Sequence, residues 1–538
     1  MSLAVALVLA VVLGAAVVSS LADRWAVPAP PLLVLTGLAV SAVPGAPAVQ
    51  LDPQIVLVLV LPPLLYSGAL GASLLDIRAN ARPIALLSVG LVLFTGAVVA
   101  LVAYLLVPGL PLGAAFALGA VVGPPDAVAA IAIGRRVGMP ARLQTLIEGE
   151  GLLNDATALV TYQVAVAAVV GGGLTLLQVG GRFVLASIGG LLVGLLVAAL
   201  VKLVRRRLDE PLVENTLSLA TPFLAYLPAE QLHASGVLAV VVCGLVLGHQ
   251  SPSLVSSGSR LQSTAVWRLI DFVLEGAVFI VIGLQLPRIV GALGAYSLAE
   301  LAGWSAAVVA AVVVVRPLWI YPATYLPRWL SRRIRRSDPA PSWREPAALS
   351  WAGMRGVVSL AAAFALPLRT GAGQAFPQRD LLLFLAFVVV LATLLLQSLS
   401  FGTVLRRLGL RPDRQAVLLQ QAGARQAAVS AALRRLEAEA EAEPPPDGIV
   451  DELHDMATAR VNAGWERLAE VRAGSTGTGR DSEDRETPSA AWRRLRAAML
   501  DAERQELVAL RDRGDLSDVA LRELQRELDL EEAALLRR

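Results

Sequence analysis

Two aspartates and the residues around them are the positions in this chain best suited to do chemistry. Asp126 lies in Gly123-Pro124-Pro125-Asp126-Ala127-Val128, and Asp155 lies in Glu148-Gly149-Glu150-Gly151-Leu152-Leu153-Asn154-Asp155. Both sit inside long apolar runs. A charge at the centre of a bilayer costs about 2.5–3.5 kcal/mol on insertion scales, so an acid retained there points to function. Pro124 and Pro125 cannot continue a helix, because each lacks an amide donor and clashes with the preceding turn. The helix is therefore expected to break just before Asp126. A broken helix exposes backbone carbonyls and helix ends in mid-membrane, the material from which transporters build ion sites. A plain kink, with Asp126 in a polar crevice, is the blander alternative. On the second segment, Glu150 and Asn154 share a helix face at i, i+4, and Glu148 and Asp155 nearly share a stripe at i, i+7. Glu148 is nearest the helix end and fits a solvated position equally well. Asp155 is deepest; its carboxyl must be protonated, paired or bound to a cation. One carboxyl that alternates between proton and cation is sufficient for exchange. Arg316, in a run of valines, and Arg355, in Trp351-Ala352-Gly353-Met354-Arg355-Gly356, are equally misplaced. A buried arginine needs an anion, and Glu150 is the natural partner for one of them because Asp155 must stay free. Interfacial snorkelling is the alternative, and it suits Arg355 better than Arg316.

The elements that must carry these residues follow from hydropathy. The 538 residues are 56% hydrophobic with only 17% charged, and the mean hydropathy is +0.65. A soluble chain of this length does not average so apolar. Runs of about 20 apolar residues suit helical spans. They fall near 3–22, 28–45, 53–71, 83–107, 112–134, 146–171, 182–205, 211–229, 234–250, 267–288, 298–322, 346–369 and 380–403, about thirteen in all. The runs are continuous, not alternating, which excludes a β-barrel. The first run lacks a basic leader region and is read as a span, not a cleaved signal. Basic residues in alternate loops divide roughly eighteen to four. The basic side is expected to be cytoplasmic, which puts the N-terminus outside and the tail inside. A net charge of +3 gives no reason to invoke nucleic acid, and the single cysteine, Cys243, excludes an intrachain disulfide. From about residue 406 charges become dense. Gln415–Glu443, Ala490–Arg513 and Val519–Leu536 read as soluble helices. Pro444-Pro445-Pro446-Asp447-Gly448 is expected to break the first, and Gly474–Gly479 to begin a flexible linker. The expected division is a membrane domain over 1–405 and a helical cytoplasmic tail over 406–538.

Taken together, these segments resemble the bacterial monovalent cation/proton antiporters, a family that includes the animal sodium/proton exchangers. Pro124-Pro125-Asp126-Ala127-Val128-Ala129-Ala130 is similar to the family's Asp-Pro-Val-Ala-Val stretch, and the segment ending at Asp155 to its Glu-Gly-Glu-Ser-Leu-Leu-Asn-Asp signature. Phe279–Leu286 and Trp351–Leu360 also look like family segments, in the expected order. The resemblance implies an all-α polytopic membrane protein with about thirteen helices, inverted repeats and two crossing broken helices. It implies a homodimer in the plasma membrane, with a fixed dimerisation region and a mobile core. Asp155 would carry the exchanged proton and cation. Asn154, where electrogenic relatives have a second aspartate, would make exchange electroneutral. Asp126 and the unwound backbone at Pro124 and Pro125 would complete a site for Na+ or K+, with no cofactor. Glu150 would stand with Asp155, Asn154 and Asp126 in the cation/proton-binding set and pair with Arg316 or Arg355 as a structural ion pair. Two departures remove hydroxyl ligands: Gly151 replaces the usual serine, and Pro125 and Ala127 replace part of a Thr-Asp-Pro arrangement.

The expected function is antiport of H+ against Na+ or K+ in the service of pH homeostasis. Two other classes fit less well. A cation channel needs a continuous polar lining or a charged filter, and the acids here cluster at one level. An intramembrane aspartyl enzyme needs paired aspartates sharing a proton, whereas Asp155 is flanked by Asn154 and Glu150. No His-Glu-x-x-His metalloprotease motif and no phosphate-binding Gly-x-x-x-x-Gly-Lys loop occurs, and His233, His249 and His454 are scattered.

Overall fold

The computed structural model describes residues 2–25, 28–43, 56–171, 176–208, 210–370, 373–410, 414–443, 445–476, 487–513, 521, 524–525 and 527–532. The described residues are helical throughout, apart from turns and one isolated bridge between Arg369 and Ala375. The chain divides into two compact units, Met1–Arg411 and Pro412–Arg538.

The first unit is a bundle of apolar helices. In chain order it contains α1 (Ser2–Arg24), α2 (Ala29–Ser41) and α3 (Leu61–Gly71, entered through a π-helical turn over Val56–Val60). Next come α4 (Ala81–Leu106), α5 (Leu112–Val122), α6 (Ala127–Val137), α7 (Ala141–Gly171) and α8 (Leu176–Arg205). They are followed by α9 (Pro211–Gln231), α10 (Gly236–Leu254), α11 (Ser257–Gly291) and α12 (Leu298–Leu330). The unit closes with α13 (Arg332–Ser337), α14 (Arg344–Trp351), α15 (Val357–Phe364) and α16 (Arg379–Leu408). Each of the thirteen expected segments overlies helix. Among the described residues eight helical stretches are long and apolar enough to cross a membrane, and three shorter apolar helices stand beside them.

Local chemistry sets the helix ends. Ser235, Ser256 and Ser297 each cap a helix by accepting from a backbone amide, and Ser297 and Glu300 form a reciprocal capping box. Gly138 ends α6 in the left-handed conformation, at φ +80°. Between helices the packing is close because the seams are built from alanine: Ala69, Ala100, Ala114, Ala115 and Ala117 are fully buried. Faces turned outward are apolar instead, as at Leu185, Ile188, Leu192 and Leu196 on α8, which suits hydrocarbon surroundings.

Two features position the site. The segment 112–137 is broken at 123–126, as Pro124 and Pro125 predict. The segment 346–369, read as one continuous span, is also broken, at 352–356 between α14 and α15. This break contains no proline, and Gly353 and Gly356 are a weaker helix-breaking signal than the two prolines of the first break. The second feature is α7, which is shared between two apolar clusters. Ile147, Tyr162 and Ala165 belong to one, with α4, α5, α12 and α16; Leu152 and Ala156 belong to the other, with α3, α8, α9 and α10.

In the second unit α17 (Arg414–Ala442) packs along α18 (Ile449–Thr476), and the turn between them contains Gly448 at φ +87°. The break at the proline run is therefore present. Helix α18 itself was not anticipated, and it runs on through Gly474, Ser475 and Thr476, where a linker was expected; burial of Leu468 anchors it upstream. Residues 477–486, the remainder of that expected linker, lie outside the described residues, as does half of Val519–Leu536. Helix α19 (Pro488–Asp512) is clamped by Arg496 to Glu531 at 2.8 Å and by Arg504 to Glu532 at 2.7 Å.

Candidate functional site

The two breaks cross. The backbone amide of Asp126 donates to the carbonyl of Met354 at 2.6 Å, joining one unwound strand of chain to the other. A Cβ at Gly356 would overlap the Asp126 carboxylate, so the crossing is this close only because that residue is glycine. Asp126 caps α6: its Oδ1 accepts from the Val128 amide at 2.8 Å.

The half-helices end on arginines. Arg355 is completely buried, and its Nη1 donates to the carbonyl of Gly123 at 2.7 Å, at the C-terminal end of α5. Its amide donates to the Thr393 hydroxyl at 3.2 Å, which pins the second break to α16. Arg316 donates through Nε and Nη2 to the carbonyl of Leu349 at 3.3 and 3.0 Å, near the end of α14. Cations at helix C-termini complement the exposed carbonyls there. Arg316 also forms a two-pronged pair with Glu150, at 2.7 and 3.0 Å, with both side chains almost wholly buried. Of the two arginines open to Glu150 on sequence grounds, Arg316 is thus the partner, and Arg355 takes a backbone carbonyl instead.

Asn154 is fully buried on α7. Its Nδ2 donates to the carbonyl of Pro125 at 2.7 Å, which fastens α7 to the first break. Asp155 follows it and is 7% exposed. Among the described residues no donor bonds its carboxylate, and Asp126 stands on the same cavity wall. Both line a cavity of about 950 Å³ that extends to Arg135, Arg136, Glu148 and Arg406, at the end of the bundle carrying the basic loops. Glu148 is half-buried at that mouth and accepts from Gln144 at 2.7 Å and Arg135 at 3.2 Å. Leu61, Leu65 and Leu152 of one apolar cluster and Phe279 and Leu394 of the other line this same cavity. It therefore lies where the two packed bodies meet.

Sequence reasoning missed two further acids on this wall. Asp271 and Glu275 of α11 face the cavity; Asp271 accepts from the Ser67 hydroxyl at 2.6 Å, and Glu275 lies one turn further along the same helix. The signal was available, since both acids lie at i, i+4 inside the run 267–288. The departures at positions 151 and 127 also acquire a reason. A Cβ at Gly151 would collide with the methyl of Ala127, so glycine on α7 and alanine on α6 are matched to each other.

Comparison with known proteins accords with this geometry. The model of the family described as "Sodium/hydrogen exchanger, transmembrane" matches residues 7–407. The chain belongs to this sodium/hydrogen exchanger family. It is 38% identical to an uncharacterised Na+/H+ exchanger of Mycobacterium tuberculosis, over 99% of this chain and 95% of the relative. It is 33% identical to a sodium, potassium, lithium and rubidium/H+ antiporter of Bacillus subtilis, over 73% of this chain and 60% of that one. In fold it is similar to the sodium proton antiporter MjNhaP1 of Methanocaldococcus jannaschii, with a TM-score of 0.59, 17% identity, and coverage of 76% of this chain and 99% of that one. As an exchanger-family member it is a multi-pass membrane transporter of the monovalent cation/proton antiporter type, and the family is not one of enzymes.

Proposed function

We propose that this protein exchanges H+ for Na+ or K+, one for one, by alternating access, with Asp155 holding either the proton or the cation. The observation that carries the reading is a nearly buried carboxylate to which no described residue donates, beside a crossing of broken helices, at the wall of a large cavity. Arg355 and Asn154 occupy the carbonyls of Gly123 and Pro125. The carboxylate of Asp155 then supplies the negative charge for the ion, and Asp126, whose Oδ1 is engaged by the Val128 amide, completes the site. Protonated or cation-bound, Asp155 is neutralised and can pass through an apolar seal. Bare, it carries a charge that costs several kcal/mol in that setting, so the moving body crosses only when loaded. That asymmetry couples the two fluxes. With Asn154 in the adjacent position, one carboxylate charge is exchanged per cycle, which favours electroneutral stoichiometry. The broad ion range in the name of the Bacillus relative supports Na+ and K+ as alternative cargo.

The same reading assigns thirteen crossings in the plasma membrane, the N-terminus outside, a membrane domain over 1–405, a cytoplasmic tail over 406–538, and a homodimer whose fixed region supports a moving core. The test is transport in proteoliposomes with Na+, K+ and Li+ in turn across a pH series. Asp155→Asn is expected to insert normally and to abolish cation-driven proton movement for every ion. Exchange at the wild-type rate in that variant would contradict the assignment.

A further inference from the structure

We propose that Arg82, Arg142 and the arginines of α13 form a docking site for the headgroup of an anionic phospholipid, in the leaflet facing the basic loops. Three helices meet there at one acid. Arg82 of α4 donates to Asp338 at 2.6 Å, Arg142 of α7 at 2.7 Å and Arg328 of α12 at 2.6 Å. Arg328 is buried and its remaining nitrogens bond the carbonyls of Asp338 and Thr324, so it fixes the acid in place. Arg82 and Arg142 each spend one terminal nitrogen on Asp338, and their side chains remain 32% and 39% exposed. Glu345 shares the small cavity beside them. Three arginines against two acids leave the five groups positive by one charge, before the exposed Arg332, Arg335 and Arg336 of α13 are counted.

The surroundings select a lipid. The cavity itself, about 40 Å³ and walled by the buried Leu143, Ile320 and Leu349, is too small for a headgroup, which therefore sits on the exposed faces of Arg82 and Arg142. Trp329 and Trp343, 76% and 60% exposed, flank the connection as interfacial tryptophans do. Guanidinium groups bind phosphate oxygens in pairs. A polybasic segment directly after a spanning helix, beside a basic pocket between helices, is suited to an acidic headgroup. Arg142 lies on the helix that carries Asp155, so a bound headgroup bears on the transport helix.

The test uses the full chain in detergent, with phosphatidylglycerol and phosphatidylcholine as probes and lipid retention read by native mass spectrometry. Phosphatidylglycerol should be retained preferentially. The double variant Arg82→Gln, Arg142→Gln should weaken its retention by about thirtyfold, from roughly fivefold per juxtamembrane arginine. Asp338→Asn removes the competing carboxylate and should tighten it. If both variants merely lower melting temperature and leave retention unchanged, the arginines are a structural knot and the proposal fails. It fails equally if millimolar inorganic phosphate displaces the signal and the two lipids are retained alike, for then the ligand is a soluble anion.

Discussion

Glu150→Gln separates scaffold from chemistry. Both members of the Glu150–Arg316 pair are about 1% exposed, and the guanidinium meets the carboxylate with two bonds. Removing one charge strands the other, at a cost of about 3–5 kcal/mol. That is a shift in the folding equilibrium from roughly a hundredfold to a few thousandfold. Removing both charges, as in Glu150→Leu with Arg316→Met, leaves no stranded ion and replaces the pair with apolar volume, which is often neutral. It does orphan the carbonyl of Leu349, which accepts from Arg316 twice. An unsatisfied buried carbonyl costs about 1–3 kcal/mol. The double variant should therefore recover part of the stability lost by Glu150→Gln, and it should still exchange ions. The assays are thermal melting in detergent and cation-driven pH change in vesicles. The reasoning is refuted if Glu150→Gln melts like the wild type, or if the double variant folds as well as predicted yet transports nothing. The second result would move Glu150 into the transport chemistry.

Three further outcomes are expected. Gly356→Ala forces a methyl into the Asp126 carboxylate, so the protein should insert but lose exchange by tenfold or more, on the order of a displaced first-contact ligand; unchanged rates in vesicles would show that the crossing is looser than described. Gly151→Ser, which restores the family's usual residue, should impair exchange alone and regain it with Ala127→Gly, because the collision is with that methyl; a rate cycle over the four proteins tests it. Asp338 lies outside the spans, and although burial opposes its charge, hydrogen bonds from Arg328 and Arg142 hold its carboxyl below the usual carboxylate range. A depressed folded value stabilises above the ordinary aspartate pKa of about 3.9 and is lost as pH falls through the lower folded value. The melting difference between wild type and Asp338→Asn should thus be flat from pH 5 to 8 (about neutral) and shrink below about pH 4; a difference that grows on acidification would contradict it.

Much of this architecture was legible because hydrocarbon imposes a simple rule: helices must be long and apolar, and the runs announce themselves. Pro124 and Pro125 marked the first break for the same local reason. The second break was only weakly signalled by Gly353 and Gly356, because its geometry depends on Gly356 meeting Asp126 and on Thr393 holding the Arg355 amide, contacts between distant parts of the chain. The choice between Arg316 and Arg355 for Glu150 is likewise three-dimensional. Asp271 and Glu275 were overlooked although their spacing was visible, since two acids on one apolar run identify a wall only once the cavity beside them is known. In the tail, α18 carries apolar residues at helical spacing, among them Leu453, Met456, Trp465 and Leu468, and only its last residues, from Gly474, fall where a linker was expected.

The central claim is that a proton and a cation compete for the Asp155 carboxyl. The most direct measurement is proton release from the purified, weakly buffered protein on addition of Na+ or K+. The account predicts release of about one proton per chain, saturable and suppressed at low pH, and none from Asp155→Asn. Equal release from wild type and variant, or cation binding with no release at any pH, would contradict it.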